Sequence, residues 1–502
     1  MAAGSGRRTG SSARVRVKVG PRRSRFRTVL LVLVLLACAA GVAVLVGLQQ
    51  AGITPRALAP YVAKRGEGHN PTIVAIGAWA NTTLTRLDRG ELVRADLNPA
   101  LHIGAQRSVA VVAAPGETLV ASADEARAAL LRVQPGDVIT FLPGRYRFHG
   151  GVNTGQGGRE GAPVRVRSRA PGTVTIEMEA EEGFKVATPY WRFENLTIRG
   201  VCRSHTDCEH AFHVFGPAHH FVSSNNTILD FNAHFKINGL EQRYPDHGLI
   251  EHNTLSNTSV RDTSNPVTPI DIVAASGWVI RNNLITDFIK GDGNLVSYGG
   301  FAKGAGAHTT FEQNVVICEQ HLVGLKGQRV GLSLGGGGSG GPFCRDGRCV
   351  TEQDDSVIRN NLIASCSDDG IYLNSAARSK IVHNTLIDTA GISVRFPTSS
   401  ADLEGNLIDG AIRSRNGGVV RERDNRTTAI ALMYLGWHPV RSLLRAPAAL
   451  DFGWDGAAPR RAALAESAGL VDMCGTPRAA QPAYGAFEDF SACVSARATP
   501  AR

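Results

Sequence analysis

Two apolar patterns divide this chain. The first is one unbroken run: Val29 to Leu48 are 20 consecutive uncharged, mostly aliphatic residues, and no ionisable side chain lies between Arg27 and Arg56. At ~1.5 Å rise per residue such a helix matches a hydrocarbon layer ~30 Å thick, whereas the apolar region of a cleaved signal peptide is usually only ~7–15 residues long. The run is therefore predicted to be a retained transmembrane helix. The second pattern recurs as an Asn followed by alternating or continuous apolar residues: ENLTIRG at Asn195, NNTILD at Asn226, HNTLSN at Asn253, NNLITD at Asn283, QNVVIC at Asn314, NNLIAS at Asn361, HNTLID at Asn384 and GNLIDG at Asn406.

Successive asparagines are 31, 27, 30, 31, 47, 23 and 22 residues apart. Repeats of this length with strand character and no helical pattern between them indicate an all-β solenoid. A short strand cannot bury its apolar face alone, but coils stacked ~4.8 Å apart place equivalent residues on one another and build a continuous core. An inward Asn at each bend can bond backbone and its equivalents above and below, and Asn tolerates the left-handed conformation that bends need. The 47-residue interval contains GLSLGGGGSGGPFCRDGRC, which predicts a long loop on one coil. Upstream, ASADEARAALLRV from Ala121 to Val133 reads as a short amphipathic helix, and PGDVITFLPGRYRF as two strands between turns.

These motifs resemble the pectate-lyase-like superfamily of right-handed parallel β-helices, particularly its bacterial repeat-containing members. The resemblance covers about residues 118–415, and PGDVITFLPGRYRF is similar to the opening strands of those proteins. It implies a right-handed parallel β-helix and an outer-sheet groove flanked by long loops. It leaves the reaction open, because the superfamily includes polysaccharide lyases, glycoside hydrolases, epimerases and proteins without catalysis. The organisation expected is a cytoplasmic basic tail (1–28), the transmembrane helix (29–48), a stalk or membrane-proximal cap (49–117), the β-helix (118–415) and a C-terminal cap region (416–502). In that last region, the Gly-Ala-Phe-Glu run at 485–488 resembles a strand closing the open end.

Charge refines the picture. The first 28 residues carry nine basic groups and no acidic one, so the positive-inside bias keeps them cytoplasmic and exports the rest, to a periplasmic or extracellular location. Without them, 45 Lys and Arg face 44 Asp and Glu. The high pI thus gives no reason to expect nucleic acid as a partner; membrane lipid beside the anchor accounts for it. Eight cysteines follow the apolar run, an even number that suits disulfides in an oxidising compartment. Local pairs are Cys202 with Cys208, Cys344 with Cys349, and Cys474 with Cys493, which leaves Cys318 for Cys366. Zinc held by four of them is the alternative, although no CxxC occurs.

Candidate chemistry comes from aligning the strand before each bend by its inward pair: Phe212 and Val214, Phe235 and Ile237, Ile270 and Ile272, Leu332 and Leu334, Ile371 and Leu373, Ile392 and Val394. Period-two alternation then turns His213, Lys236, Asp271, Ser297, Ser333, Tyr372 and Ser393 outward, with Asn238, Asn374 and Arg395 in a second row and His234 flanking Lys236. A lyase or epimerase of uronic-acid polymers removes the proton beside a carboxylate, which needs a base and a neutralising cation. On this reading Lys236 is the base, tuned by His213 or His234, and Asp271 orients it. Asn238, Arg243, Tyr298, Tyr372 and Arg395 bind the polysaccharide. The candidate cofactor is a divalent cation such as calcium, held by Asp271 with Asp246 or Asp292, although no ligand motif marks it. The bland alternative is the solvated face of a non-catalytic scaffold that binds glycan or protein. Asp368 and Asp369 read as turn residues, the glycines from Gly335 to Gly341 as a flexible lid, and His205, His210, His219, His220 and His247 as residues of turns.

Overall fold

The computed structural model describes residues 1, 4, 6, 10, 22–106, 111, 113–114, 116–336, 339–462 and 470–494. Most of the basic tail predicted over 1–28 lies outside these residues. Met1–Ala51 and Gly52–Arg502 are separate units. In the first, a helix spans Arg22–Ala51, and its Phe26–Ala51 portion is long and apolar enough to cross a membrane.

The second unit is a right-handed parallel β-helix. Its strands fall into parallel sheets of twelve, ten and eleven strands, beginning at Thr118 and ending at Thr427. Each full coil crosses the twelve-stranded sheet, bends at the Asn, crosses the eleven-stranded sheet, bends again, and crosses the ten-stranded sheet before a loop returns it. The coil that runs through Val222–Ser224, Thr227–Leu229 and Ala233–Asn238 is typical. Strands this short are stable because every inward residue meets its equivalent in the next coil. Phe184 stacks on Phe212 and Phe212 on Phe235, with ring centroids 5.3 Å apart in both pairs. The inward pairs read from the sequence lie in one register, from Phe212–Val214 to Ile392–Val394. The helix predicted over Ala121–Val133 forms at Ala123–Arg132, capped by the Ser122 side chain, and buries Ala126 and Leu130 in the first coil's core.

An asparagine ladder runs along the first bend through Asn226, Asn253, Asn283, Asn314, Asn361, Asn384, Asn406 and Asn425. In each step the backbone N–H and the side-chain Nδ2 of one Asn both donate to Oδ1 of the next, as from Asn253 to Asn283 at 2.9 and 3.1 Å. Nδ2 also donates to a strand carbonyl, as Asn283 does to Ile250 at 2.9 Å. Two expectations need correction. Asn195 is not a rung: Leu196 occupies that place and its N–H donates to Asn226 Oδ1. Nor do the rungs adopt the left-handed conformation, which falls on the preceding residue, such as Asn225, His252, Asn282 or Gln313. The ladder also continues to Asn425, so the β-helix runs one coil beyond 415, through Val419–Arg423 and Arg426–Thr427.

The flanking segments lie along the side of the rod. Residues 49–117, expected as a stalk or membrane-proximal cap, contain a helical hairpin, Pro55–Gly66 and Pro71–Arg89. It docks through buried ions: Arg56 bonds Asp88 and Asp388 at 2.6 Å, Arg89 bonds Asp388 at 2.9 Å and Glu319 at 3.2 Å, and Arg329 completes the chain on Glu319 at 2.8 Å. Farther along, Gly104 N donates to Asn282 O at 2.8 Å, and a Cβ there would stand 2.8 Å from Thr254 Oγ1, so only glycine fits. The Gly-Ala-Phe-Glu run forms no closing strand. Phe487, with Phe452, Phe490 and Met473, covers the outer side of the eleven-stranded sheet over Val315, Ile317, Leu362 and Leu407. The run is pulled sideways because that sheet is apolar on both faces, and its outer face has more surface to bury than the rod's end. The short helix Ile430–Met433 packs on Ala411, in the last strand of the ten-stranded sheet.

All four cysteine pairs are disulfides in the expected pairing, 202–208, 318–366, 344–349 and 474–493. The C-terminal region is fastened by His438, whose Nδ1 lies 2.8 Å from Asp409 and Nε2 3.0 Å from Leu87 O, while Arg441 bonds Asp409 at 2.6 Å. Burial alone lowers the His438 pKa, but the hydrogen bond and charge of Asp409 outweigh it and raise the value above the ordinary one.

Two outcomes follow from these contacts. Asn283→Ala leaves the Asn253 amide and Ile250 carbonyl unsatisfied in the core, and at about 1–3 kcal/mol per orphaned group it should destabilise the second unit by roughly 3 kcal/mol. Asn425→Ala, at the half-buried end of the ladder, should lose about a third of that; urea denaturation compares the two. For His438, a raised folded pKa makes its contribution complete below the unfolded value of about 6.5 and lost as pH rises through the folded one. His438→Ala should therefore cost about 2 kcal/mol near pH 5.5 and progressively less above neutrality, as read from melting curves across pH.

Candidate functional site

The loops that return each coil from the ten-stranded sheet decide which part of its outer face stays open. Two are long. Gly239–Tyr244 turns tightly at Leu240 and Arg243, and the insertion after Leu334 crosses over from a later coil. Between them lies a cleft of about 540 Å³, floored by His210, His213, Lys236, Asn238, Val273 and Lys303 and walled by Leu240, Gln242, Tyr244, Ser339, Phe343 and Cys344.

The wall is braced; of the lid expected at Gly335–Gly341, residues 337–338 lie outside the described set. Arg345 forms a bidentate pair with Asp246 at 2.7 and 2.9 Å and stacks over the Tyr244 ring at 4.3 Å, while the Tyr244 hydroxyl donates to Arg345 O at 3.2 Å. The Cys344–Cys349 disulfide closes the tip, and Ser339 Oγ bonds Glu352 at 2.7 Å. Phe343 remains 70% exposed, which leaves an aromatic face at the mouth.

On the floor, His213, Lys236 and Asp271 are laterally paired on adjacent strands, as the alignment required. The next rung is Phe301 and not Ser297, which pairs with Arg329 one turn earlier in the strand. The alignment slipped there because Gly300 stands at the inward place of an aliphatic residue. Lys236 Nζ donates to Asp271 Oδ2 at 2.8 Å, with the carboxylate almost wholly covered. An ammonium bound this way is a fixed cation rather than a base.

His213 Nε2 stands 2.8 Å from Asn238 Oδ1, and Asn238 Nδ2 donates to Gly239 O at 3.0 Å. His213 Nδ1 lies 2.7 Å from Glu182, whose other oxygen bonds Lys185 at 3.0 Å. Burial pushes the Glu182 carboxyl up, but Lys185 and the two histidines hold it below its usual value. Burial, with Lys236 and His213 beside it, pushes the His210 imidazole down to about 3, so it is neutral at physiological pH. Lys303 Nζ sits over the Phe301 ring at 4.5 Å, and among the described residues no carboxylate lies within ion-pair distance of it.

The other expected residues are elsewhere. His234 is fully buried, with Nε2 3.2 Å from Ser256 O, and burial pushes its pKa down to about 4, so it cannot serve the cleft. Arg243 is exposed on the loop but does not line the cleft. Tyr372 lies four rungs from Lys236, about 19 Å away at ~4.8 Å per coil. Its hydroxyl is engaged by Asn374 at 3.1 Å and Arg395 at 3.3 Å. Tyr298 packs edge-on against Phe301, its phenol pushed up to about 12 by burial and by Tyr372 and the acidic pair. Asp369 is paired with Arg413, and burial beside Asp369 pushes Asp368 up to about 7. Tyr298, Tyr372 and Arg395 thus belong to a second, covered cluster.

A calcium cage does not form. Asp271 is held by Lys236, Asp246 by Arg345, and Asp292 Oδ1 accepts the Gly293 N–H. The one group of metal-ligand type found among the described residues is Glu182, His210 and His213, a donor set of two nitrogens and one oxygen that suits a transition metal better than calcium. Glu182 escaped the sequence alignment because it began one coil too late, and His210 because strict alternation from Phe212 turns it inward. Extending it back to Phe184 and Val186, which pair with Phe212 and Val214, puts Glu182 beside His210.

A family model described as NosD, periplasmic copper-binding protein, matches residues 343–431. That segment offers no copper site: Cys344, Cys349 and Cys366 are all in disulfides, its single histidine, His383, is buried beside Arg461, and it has no methionine. A search of curated proteins found no match. Among solved structures, the chain is similar to pectate lyase Pel9A, at 14% identity and TM-score 0.50, over 73% of this chain and 90% of that one. It is also similar to XylC in complex with xylose, at 9% identity and TM-score 0.42 over 59% and 66%, and to a rhamnogalacturonan lyase, at 11% and 0.39 over 61% and 81%. At such identities the likeness shows the fold, and the match to Pel9A carries it.

The brace makes the cleft wall testable. Asp246→Ala frees Arg345 and should raise the rate at which trypsin cuts after Arg345 or Arg348, with little change in global stability, since a partly exposed pair contributes about 1 kcal/mol or less.

Proposed function

We propose that the cleft binds an acidic polysaccharide on the extracytoplasmic side of a membrane, and that its chemistry is proton removal beside a uronate carboxylate, the first step shared by lyases and epimerases. The observation that carries this reading is Lys303: an ammonium on the cleft floor, over an aromatic ring, without a carboxylate of its own. A cation left unpaired in a concave site is poised to take an anionic ligand. Lys236, already held by Asp271, adds positive potential without acting as the base. Phe343 offers a sugar ring an apolar face, and Asn238, Gln242 and Tyr244 supply polar edges. Beside these groups stand the imidazoles of His210 and His213, His210 pushed down to about 3 by burial and so neutral at physiological pH. Pel9A, a pectate lyase by name, has the same fold, which is compatible with this reading. Four disulfides and a basic tail before the apolar helix favour export of the second unit.

A non-catalytic glycan-binding scaffold is the second reading, favoured by the Lys236–Asp271 pair, which removes the base first expected on this floor. One experiment separates the two. The protein is incubated with a panel of acidic polysaccharides while ultraviolet absorbance follows unsaturated uronate, product NMR follows epimerised residues, and calorimetry follows binding. Lys303→Ala is expected to weaken binding at least tenfold, the loss of about 1.4 kcal/mol that one charge-assisted contact provides. Product formation supports the enzyme; binding without product supports the scaffold. If no acidic polymer binds, or Lys303→Ala binds equally well, both readings fail.

A further inference from the structure

At the head of the cleft, Glu182, His210 and His213 bring one carboxylate oxygen and two ring nitrogens within 4.8 Å of one another. They come from two adjacent strands, Glu182–Val186 and His210–Phe215, with Glu182 and His210 directly opposite. The hydrogen bonds around His213 restrict what can lie between them. Asn238 Nδ2 donates to Gly239 O, so Oδ1 is the atom turned toward the imidazole, and His213 Nε2 must carry the proton that bonds it at 2.8 Å. His213 Nδ1 then faces Glu182 from 2.7 Å. A bare lone pair that close to a carboxylate oxygen is repulsive, so a cation must be shared there: a proton or a metal ion.

The geometry favours the metal. Although Nδ1 and the Glu182 oxygen are close, the oxygen lies off the direction in which a ring N–H would point, and Nδ1 has no hydrogen bond. A donor facing its acceptor does not have this arrangement, whereas two ligands that share an ion need not point at each other. His210 Nδ1 is likewise buried without a hydrogen-bond partner. The surrounding charge agrees: Glu181, Glu182, Glu209 and Asp271 outnumber Lys185 and Lys236, and each lysine is already bonded to one of these carboxylates. The Asn238 contact is the outer hydrogen bond that fixes the tautomer of a metal-bound histidine.

We propose that Glu182, His210 and His213 bind a divalent transition-metal ion of the zinc class, with Asn238 as the positioning residue and the remaining coordination position open to the cleft. Two histidines, one carboxylate and an open position form a donor set that such ions accept. At ~2.0–2.1 Å bonds, tetrahedral donors stand about 3.4 Å apart, so around an ion the 2.7 Å pair of His213 and Glu182 opens slightly and the wider separations, all within 4.8 Å, draw in by side-chain rotation. The site lies outside residues 343–431, stands on its own geometry and does not depend on a polysaccharide ligand.

The test uses the full chain in detergent, stripped with a chelator and titrated with Zn²⁺ alone by calorimetry and with Co²⁺ by visible absorption, no glycan being present. One equivalent is expected to bind, with ligand-field bands of a four- or five-coordinate ion. Glu182→Gln and His213→Ala should each weaken binding at least about tenfold, and Asn238→Leu should do so without changing the number of ligands. Melting curves establish that each variant is folded, and His308→Ala, an exposed histidine elsewhere, serves as the unaffected control. Failure of the stripped protein to bind either ion, or equal binding by a folded His210→Ala/His213→Ala variant, would overturn the proposal and leave the polysaccharide reading standing.

Discussion

From Asn253 onward each rung of the asparagine ladder accepts two hydrogen bonds on one side-chain oxygen, from the backbone N–H and the Nδ2 of the preceding rung, and this pair of bonds fixes the register of the rod. The aliphatic and aromatic stacks contribute more burial, but they are tolerant of sliding, because one apolar side chain meets another almost equally well. A buried amide is not tolerant: shifted by one residue, it turns its polar atoms into hydrocarbon at about 1–3 kcal/mol each, while the whole inward set moves to the outer face. The ladder therefore dictates which residues of the ten-stranded sheet lie side by side on its outer face. Lys236 and Asp271 are neighbours because Asn226 and Asn253 are, and His213 joins them through Leu196, whose N–H bonds Asn226.

The three outer faces are used differently. On the eleven-stranded sheet the C-terminal region buries Val315, Ile317, Leu362 and Leu407, so those strands are apolar on both sides. The helical hairpin docks beside the bend that follows, through ions removed from water. Buried pairs of this kind gain little net stability, since desolvation offsets the attraction, but removal of one partner strands the other. Arg56, Arg89 and Asp388 thus specify where the hairpin sits more than they stabilise the rod. On the ten-stranded sheet a cleft stays open, and the insertion and the Gly239–Tyr244 loop, joined by Arg345 and Asp246, set its width.

The sequence disclosed most of the fold and about half of the cleft, and the division has physical causes. Repeating asparagines and aliphatics are local signals, so the solenoid, the inward pairs, the long loop and the disulfide pairs could be read directly. The register of His213, Lys236 and Asp271 followed from the same periodicity. It failed at Ser297, where Gly300 and Ala302 stand in the places of the inward aliphatics and no large apolar pair marks the phase. The alternation rule could say that His234 points outward, but not that other chain covers it; outward and exposed are different properties once loops fold back. The closing strand was misplaced for the same reason. NVVIC, NLIAS and NLIDG are continuous rather than alternating apolar runs, and that was the available sign that something packs outside them.

Lys236 shows how far a row of residue types falls short of a mechanism. A lysine beside histidines suggests a base, because like charges and burial both disfavour an ammonium. The deciding contact is Asp271, one rung away and almost wholly covered, whose oxygen lies 2.8 Å from the nitrogen. A carboxylate so poorly hydrated keeps its cation, since losing it would leave a buried charge uncompensated. The floor therefore contains one satisfied cation, Lys236, one unsatisfied cation, Lys303, and a carboxylate–imidazole group that itself requires a cation. A polyanion and a metal ion would meet complementary charges on the same surface, with the strand of Lys303 three coils from that of His213, about 14 Å at ~4.8 Å per coil, so one long ligand can reach both.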